Sequence, residues 1–475
     1  MSRKIWATAT VASTLAVLSG TAMAASDAAM LQQMRDMSRK IEALQSEMTQ
    51  LKAQNSQLQS QQIAIETKQA AAPAPDSYVT KGDLPNSFKI PGTDTSVKIG
   101  GYIKLDAIKD IKGKVGGTVS TAPLVPLDGS AAAKRSGQSS VTARQSRVNV
   151  QTQTPTGWGT LNTFVEGDFY GAGGSETVTN SASFRLRHAY AELGSVLAGQ
   201  TWTTFYDPIA APETLDFGGP VGESQGLRQG QLRYSMPLAG GTLAVAVENP
   251  EGDFFQSQHD ALIAGGSVDP SIHIDKWPDL VARYTMAGSW GRLSASGVLR
   301  YLSFDNRGSA AVNGIVGRDS TFAGGAGLTG RINTFGKDSI LFSALGGPGM
   351  GRYILGLGLG GDAGYVNARG ELKTQMAWGA MLGYQHYWTD TVRSTLVAGR
   401  NQVDNPSPTS GGTGVTGLTD YVDTVHANLI WSPIPRASLG IEYLFADRKV
   451  NTASTAVLSN KGNASRLQFS AQYIF

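Results

Sequence analysis

The chain has 475 residues, a net charge of +3, only 16% charged side chains and 58 glycines. So small a charge, with no basic run interleaved with aromatics, argues against a nucleic-acid surface. The absence of cysteine excludes a disulfide framework, a thiolate metal site and a cysteine nucleophile, and the glycine content fits a β-rich chain with many turns better than an α/β enzyme.

In chain order, Ser2-Arg3-Lys4 precedes an apolar stretch, Ile5–Leu18, and the small-x-small site Ala22-Met23-Ala24. That is the form of a secretory signal peptide over residues 1–24, too short to span a membrane as a helix. No run of 18 apolar residues follows, so the exported chain is expected to be either soluble or a barrel.

Residues 25–70 read as a coiled-coil oligomerisation segment. Met30, Met34, Met37, Ile41, Leu44, Met48, Leu51, Asn55, Leu58, Gln62 and Ile65 recur at alternating spacings of four and three, the a and d positions of about five heptads. Glu47 and Lys52 stand where an interhelical ion pair forms. Asn55 and Gln62 weaken the seam but set register and strand number, and the number of strands stays open. A lone amphipathic helix is the alternative. Residues 71–95, opening on "AAPAPDS", read as a proline-containing linker.

From Val97 the period becomes two, through residue 475, and residues 96–475 read as one barrel domain. Sixteen alternating runs fall at 97–108, 141–154, 160–170, 183–193, 196–206, 227–236, 241–249, 278–287, 291–304, 321–333, 338–346, 366–387, 391–402, 420–432, 436–446 and 464–475. Seven short links, such as Gly194-Ser195 and Pro237–Gly240, alternate with eight long Gly/Ser/Asn/Asp-rich ones. Such alternation is expected of an even-stranded transmembrane barrel with both ends on the short-turn side. Trp158, Trp290, Trp388 and Trp431 gather at the short turns, as an aromatic girdle at the headgroup level would. The fold class is therefore an all-β, 16-stranded antiparallel transmembrane β-barrel preceded by a helical segment.

One parity, including Val148, Val150, Leu161, Val165, Leu243, Val245, Val247, Leu299, Leu439, Ile441, Tyr443, Phe469 and Tyr473, is apolar and suits lipid. The other places Lys98, Lys104, Arg147, Arg185, Arg187, Arg233, Arg283, Arg300, Arg331, Arg369, Lys373, Arg393 and Arg466 toward the lumen. The acids on that face are Asp106, Glu166, Asp168, Glu248, Asp279, Glu371 and Glu442. A barrel this wide holds water, and cations exceed acids about two to one, which raises the local concentration of anions. Part of the arginine set is expected to do no more than balance its acidic neighbours.

The loop 207–226, "DPIAAPETLDFGGPVGESQG", carries Asp207, Glu213, Asp216 and Glu223. It either folds inward and narrows the pore against the basic wall or is an ordinary external loop. His188, His259, His273, His386 and His426 show no metal or HExxH spacing, and no catalytic set, metal site or cofactor motif is recognisable.

"TPTGWGTLNTFVEGDFYG" (154–171) and "SFRLRHAYAELGSVLAGQTWTTFYD" (183–207) resemble the DcaP-like outer-membrane porins, as does the order of signal peptide, coiled coil, linker and barrel. The resemblance implies a homotrimer of sixteen-stranded barrels in a Gram-negative outer membrane, its N-terminal segment in the periplasm, and diffusive uptake of small anionic solutes, notably dicarboxylates. It transfers no individual substrate residues. The last run, "SRLQFSAQYIF", is expected to close the barrel against the Val97 strand. Phe475, with Tyr473 and Phe469, resembles the signal read by the barrel-assembly machinery. The competing reading is a structural protein whose coiled coil contacts a periplasmic or cell-wall partner, with transport secondary.

Overall fold

The structure, a computed structural model, describes residues 26–71, 79–171, 177, 179–255, 273–305, 307, 317–357, 363–367, 369–405, 418–451 and 459–475. The signal-peptide segment 1–24 and His259 lie outside them. The chain divides into two compact units, Met1–Tyr78 and Val79–Phe475, a boundary that falls inside the 71–95 segment.

Among the described residues the first unit consists of one helix, α1, Ser26–Ala71. Its stretch free of Gly and Pro accounts for its length, and the heptad stripe is laid along it: Met34, Ile41, Leu44, Met48, Leu51 and Leu58 are each at least half exposed. One chain shows one helix, so the coiled coil itself is not seen. No helix among the described residues is long and apolar enough to cross a membrane.

The second unit is a closed antiparallel barrel of sixteen strands. They are β1 (Ser96–Lys112), β2 (Arg147–Thr156), β3 (Gly159–Gly171), β4 (Ser183–Leu193), β5 (Val196–Trp202), β6 (Arg228–Leu238), β7 (Gly241–Glu248) and β8 (Asp279–Gly288). The second half is β9 (Gly291–Asp305), β10 (Arg318–Asn333), β11 (Ser339–Pro348), β12 (Met376–Tyr387), β13 (Val392–Val403), β14 (Thr419–Trp431), β15 (Ala437–Val450) and β16 (Lys461–Ile474). Each strand pairs with its sequence neighbour, and β1 pairs with β16 from Tyr102↔Ile474 to Asp110↔Arg466. Closure leaves no sheet edge, which lipid would not tolerate.

Alternation decides the two faces. Along β7, Val245 and Val247 are exposed while Ala244, Ala246 and Glu248 are buried. Along β16, Phe469 and Tyr473 are exposed while Arg466, Gln468 and Ser470 are buried. Exposed apolar and buried polar side chains identify the outer and inner faces of a membrane barrel. Short hairpins connect strands at one end; the β6–β7 turn uses Ala239 (φ 45°) and Gly240 (φ 80°), a pair of left-handed residues whose twist matches the strands it joins. Trp158, Trp290, Trp388 and Trp431, at or beside these short turns, are all exposed.

At the seam, Gly101 (φ 150°) lets β1 pass close to its neighbours. A Cβ there would lie 2.2 Å from the Arg147 carbonyl oxygen and 3.0 Å from the Phe475 ring. The Phe475 amide donates to the Gly101 carbonyl at 3.1 Å.

Three strand readings differ from the structure. The 366–387 run is not one strand: β12 begins at Met376, and the residues before it form a small hairpin, Gly364–Val366 with Leu372–Thr374. Its turn residues Asn367 and Glu371 hydrogen-bond to one another, a local alternative that ends the ladder. The 196–206 run stops at Trp202, after which the chain turns inward. The 141–154 run is broken, because Ser139–Thr142 pairs with β1 alone and a turn at Ala143–Ser146 precedes β2.

The interior is more filled than a water-holding lumen. Phe205, Met350, Tyr353, Ile354 and Leu357, from two long connections, pack on inward Val281, Val298, Leu345 and Val403. Val115, Ala122 and Val125 from the first long connection pack with Val221, Val422 and Leu444. Among the described residues, segments of at least three long connections therefore fold into the barrel.

Candidate functional site: an arginine-rich constriction

The connection between β5 and β6, residues 203–227, crosses the interior and is hydrogen-bonded to much of the wall. Asp207 accepts from Arg292 Nε of β9 at 2.6 Å, and Arg331 of β10 donates to the Ala211 carbonyl at 3.1 Å. Glu213 takes a two-pronged bond from Arg393 of β13, at 2.6 and 2.7 Å. Glu442 of β15 accepts the amides of Leu215 (2.7 Å) and Asp216 (3.1 Å). Lys104 of β1 donates to the Leu215 carbonyl at 2.7 Å, and Thr424 and Asn401 accept from Val221 and Gly222. Charged acceptors make the stronger of these bonds.

Of the four loop acids, Asp207 and Glu213 are thus tethers. Asp216 bonds Ser120 and lies 3.8 Å from Arg466. Glu223 is buried; burial pushes its carboxyl up to about 8, opposed by a hydrogen bond from Tyr206. Asp207 is held below the usual carboxylate range, since its bonds to Arg292 and Ser294 outweigh the cost of its burial. The inward loop therefore does not set four free acids against a basic wall, because Asp207 and Glu213 are spent on fixing it.

Opposite the loop, β2–β4 supply a dense charge cluster. Arg185 grips Asp168 through two bonds of 2.9 and 2.7 Å. Arg187, 1% exposed, reaches Glu166 and Asp168, each at 2.8 Å. Arg147 stands 3.7 Å from Glu166. Loop residue Phe217 lies under all three guanidiniums at 5.5–5.9 Å and stacks on Tyr170, 5.1 Å between centroids. Arg228 lies over Trp202 at 5.0 Å, with its Nη1 buried and lacking a hydrogen-bond partner. Four guanidiniums thus face two carboxylates, an excess of two positive charges.

Arg185, Arg228, Trp202, Tyr206, Phe217 and Arg352 line a cavity of about 600 Å³ bounded by the long connections. A second, about 530 Å³, lies toward the short turns and includes Lys104, Glu213 and Arg393. The loop runs between them.

The remaining sequence-derived residues fall into three groups. Lys104 pairs with Asp106 (3.2 Å), Arg466 with Asp110 (2.9 Å), and Arg300 with Asp253 (2.7 Å) and Asp279 (3.3 Å). Glu248 accepts from Thr203, Thr204 and Gln229. Lys98, Arg233, Arg283 and Arg331 sit on the inner face without a carboxylate at ion-pair distance among the described residues. Arg369, Lys373 and Glu371 are not on the barrel wall. They belong to the hairpin before β12, Arg369 is exposed, and Lys373 pairs with Glu371 at 3.0 Å.

Several inward groups escaped parity reading. A bulge opposite Glu166 and Gly167 makes Arg187 an extra residue. Parity reverses there, so His188 also turns inward and bonds Thr201 at 3.0 Å. Arg292 shares the parity of Arg300, and that signal was present in the run. Asp110 lies beyond the sequence-read end of β1. Arg228 has the outward parity, and the end of β5 and the start of β6 carry it into the cavity with Trp202. Away from the wall, Glu251, His273 and Asp275 bring ligand-type atoms within 4.8 Å. Their arrangement is an imidazole between two carboxylates, at 3.4 and 3.3 Å, and the bond to Asp275 raises the affinity of His273 for a proton.

A closed sixteen-stranded barrel with an apolar belt, an aromatic rim and an inward-folded loop defines an outer-membrane channel. The model of the DcaP outer membrane protein family matches residues 28–475, and the chain belongs to that family. It is similar to the crystal structure of the outer membrane channel DcaP of Acinetobacter baumannii, with a TM-score of 0.64 and 21% identity over 80% of this chain and 97% of that one. It is also 27% identical over 249 residues to porin Omp2b of Brucella canis, covering 50% of this chain and 59% of that porin's length, and to the same extent to porin Omp2b of Brucella abortus. The protein resides in the outer membrane.

Proposed function

We propose that the protein is a passive channel for small, preferentially anionic organic solutes of dicarboxylate type. The carrying observation is the excess of guanidiniums over carboxylates around the cavity beside the loop, with Trp202, Tyr206 and Phe217 in its wall. Such a wall favours anions by its potential, and arginine forks match carboxylates in two-pronged geometry. The aromatic faces add contact for an organic body. Nothing in this reading requires chemistry on the solute.

The active form is a homotrimer, its barrels inserted by the barrel-assembly machinery and its helices joined in the periplasm along the Met34–Leu58 stripe. Exposed apolar positions at heptad spacing support that joining. Purified protein in planar bilayers should give stepwise conductance in triplets and a reversal potential favouring chloride over potassium. A succinate-like or phthalate-like diacid should permeate better than its neutral analogue. Cation preference would overturn the reading. Deleting residues 27–70 separates it from a tethering role, since a channel keeps conducting.

A further inference from the structure

A third interior cavity, of about 330 Å³, lies on the short-turn side of the loop and gathers three arginines, Arg233 of β6, Arg283 of β8 and Arg292 of β9. Its floor is β7, whose inward residues beside the arginines, Ala244 and Ala246, are small. Ala246 is paired with Arg233 and Ala244 with Arg283, so the wall is recessed where the long side chains lean over it.

The charge is poorly balanced. Arg292 is bonded to Asp207. Arg283 donates to the backbone carbonyl of Tyr206, a neutral acceptor, and its Nε is buried with no hydrogen-bond partner. Arg233 has no ion pair among the described residues. The acids nearest to it include Glu192 and Glu248, and Glu248 is already bonded by Thr203, Thr204 and Gln229. Among the described residues Asp207 is the one carboxylate at ion-pair distance from any of the three guanidiniums. An excess of positive charge in a recess of solute size, with unused donors, is completed by an anion.

We propose that this recess is a second anion station, which takes a carboxylate of a small dicarboxylate as the solute leaves the constriction toward the short turns. It rests on the anion-preferring reading above and adds a site to it. Arg233 and Arg283 are the binding residues. Arg292 is a positioning residue, because its guanidinium also fixes the loop through Asp207.

The test is current blockade by succinate in purified, reconstituted protein, with succinamide as the neutral control. In the wild type, succinate produces resolvable blockade and succinamide does not. In Arg233→Gln/Arg283→Gln the succinate dwell time falls roughly tenfold, the size expected for losing a charge-assisted hydrogen bond. The Arg233→Lys/Arg283→Lys variant recovers part of it. Ala244→Leu, which fills the recess and leaves the arginines in place, also shortens the dwell and stands in if the double variant fails to assemble. An unchanged dwell in an assembled double variant or in Ala244→Leu overturns the station, as does a wild-type pore that succinate does not block. The reversal potential of the wild type in a KCl gradient is read separately. Absence of anion preference there overturns the earlier reading, whereas anion preference with an unchanged dwell overturns the station alone.

Discussion

Replacing Glu442 by Gln tests whether the inward loop is held by its buried polar anchors. The Glu442 carboxylate is 1% exposed and accepts four bonds: Leu215 N at 2.7 Å, and Asp216 N, His426 Nδ1 and Asn428 Nδ2 each at 3.1 Å. A glutamine has nearly the same shape but only one acceptor oxygen, and its amide group is a donor. His426 can change tautomer to suit, but Asn428 is held in its present sense by Thr395 N and the Glu213 carbonyl, and a backbone N–H cannot turn at all. At least one of the Leu215 and Asp216 amides therefore loses its acceptor. Leaving a buried donor unsatisfied costs about 1–3 kcal/mol, and the remaining bonds lose their ionic character, so loop docking should weaken by about 3 kcal/mol in all. That corresponds to roughly a hundredfold larger undocked population. Single-channel recording should show increased open-channel noise and a wider spread of conductance than in the wild type, with unchanged heat-modifiable mobility of the barrel. An assembled Glu442→Gln channel with wild-type noise and conductance would refute the idea that these amides hold the loop.

Three further outcomes are expected. Glu223, neutral in the folded loop below about 8, binds more protons there than in an unfolded chain, so loop docking should weaken as pH rises from about 4.5 toward 8. Charging it also adds a negative charge at the constriction; anion preference should fall between pH 6 and 9, and Glu223→Gln should flatten that profile. Gly101→Val places a side chain against the Arg147 carbonyl and the Phe475 ring, and Phe475→Ala removes the ring; both should lower the yield of heat-modifiable barrel more than the conductance of pores that form. Replacing Leu44 and Leu51, both exposed on the single helix, by Asp should weaken association by about 2 kcal/mol per leucine, lowering the temperature at which the oligomer dissociates on a gel; unchanged dissociation would remove the helix from assembly.

Read by residue, the wall was legible and its fittings were not. Strands such as β7 and β9 declared themselves because a membrane barrel obliges every second residue to be apolar, and the short turns and tryptophans marked one rim. Arg292 had the right parity and needed only to be counted. His188 was hidden because one extra residue, Arg187, reverses the alternation without leaving a mark in composition. The 366–387 run misled because Asn367 and Glu371 prefer each other to the ladder, a local competition that periodicity does not register.

The sequence by itself determined a sixteen-stranded barrel, its two faces, its rim and a helix with an apolar stripe, because these depend on repeats of two and of three and four that neighbouring residues carry. Only the tertiary structure decided that long connections fold inward, that Asp207 and Glu213 fix the loop to Arg292 and Arg393, and that three arginines meet two acids over Phe217. Those pairings join residues up to a few hundred positions apart, as Leu215 and Glu442 do. Which acid meets which arginine is set by loop path and strand register in space, and no local pattern encodes it.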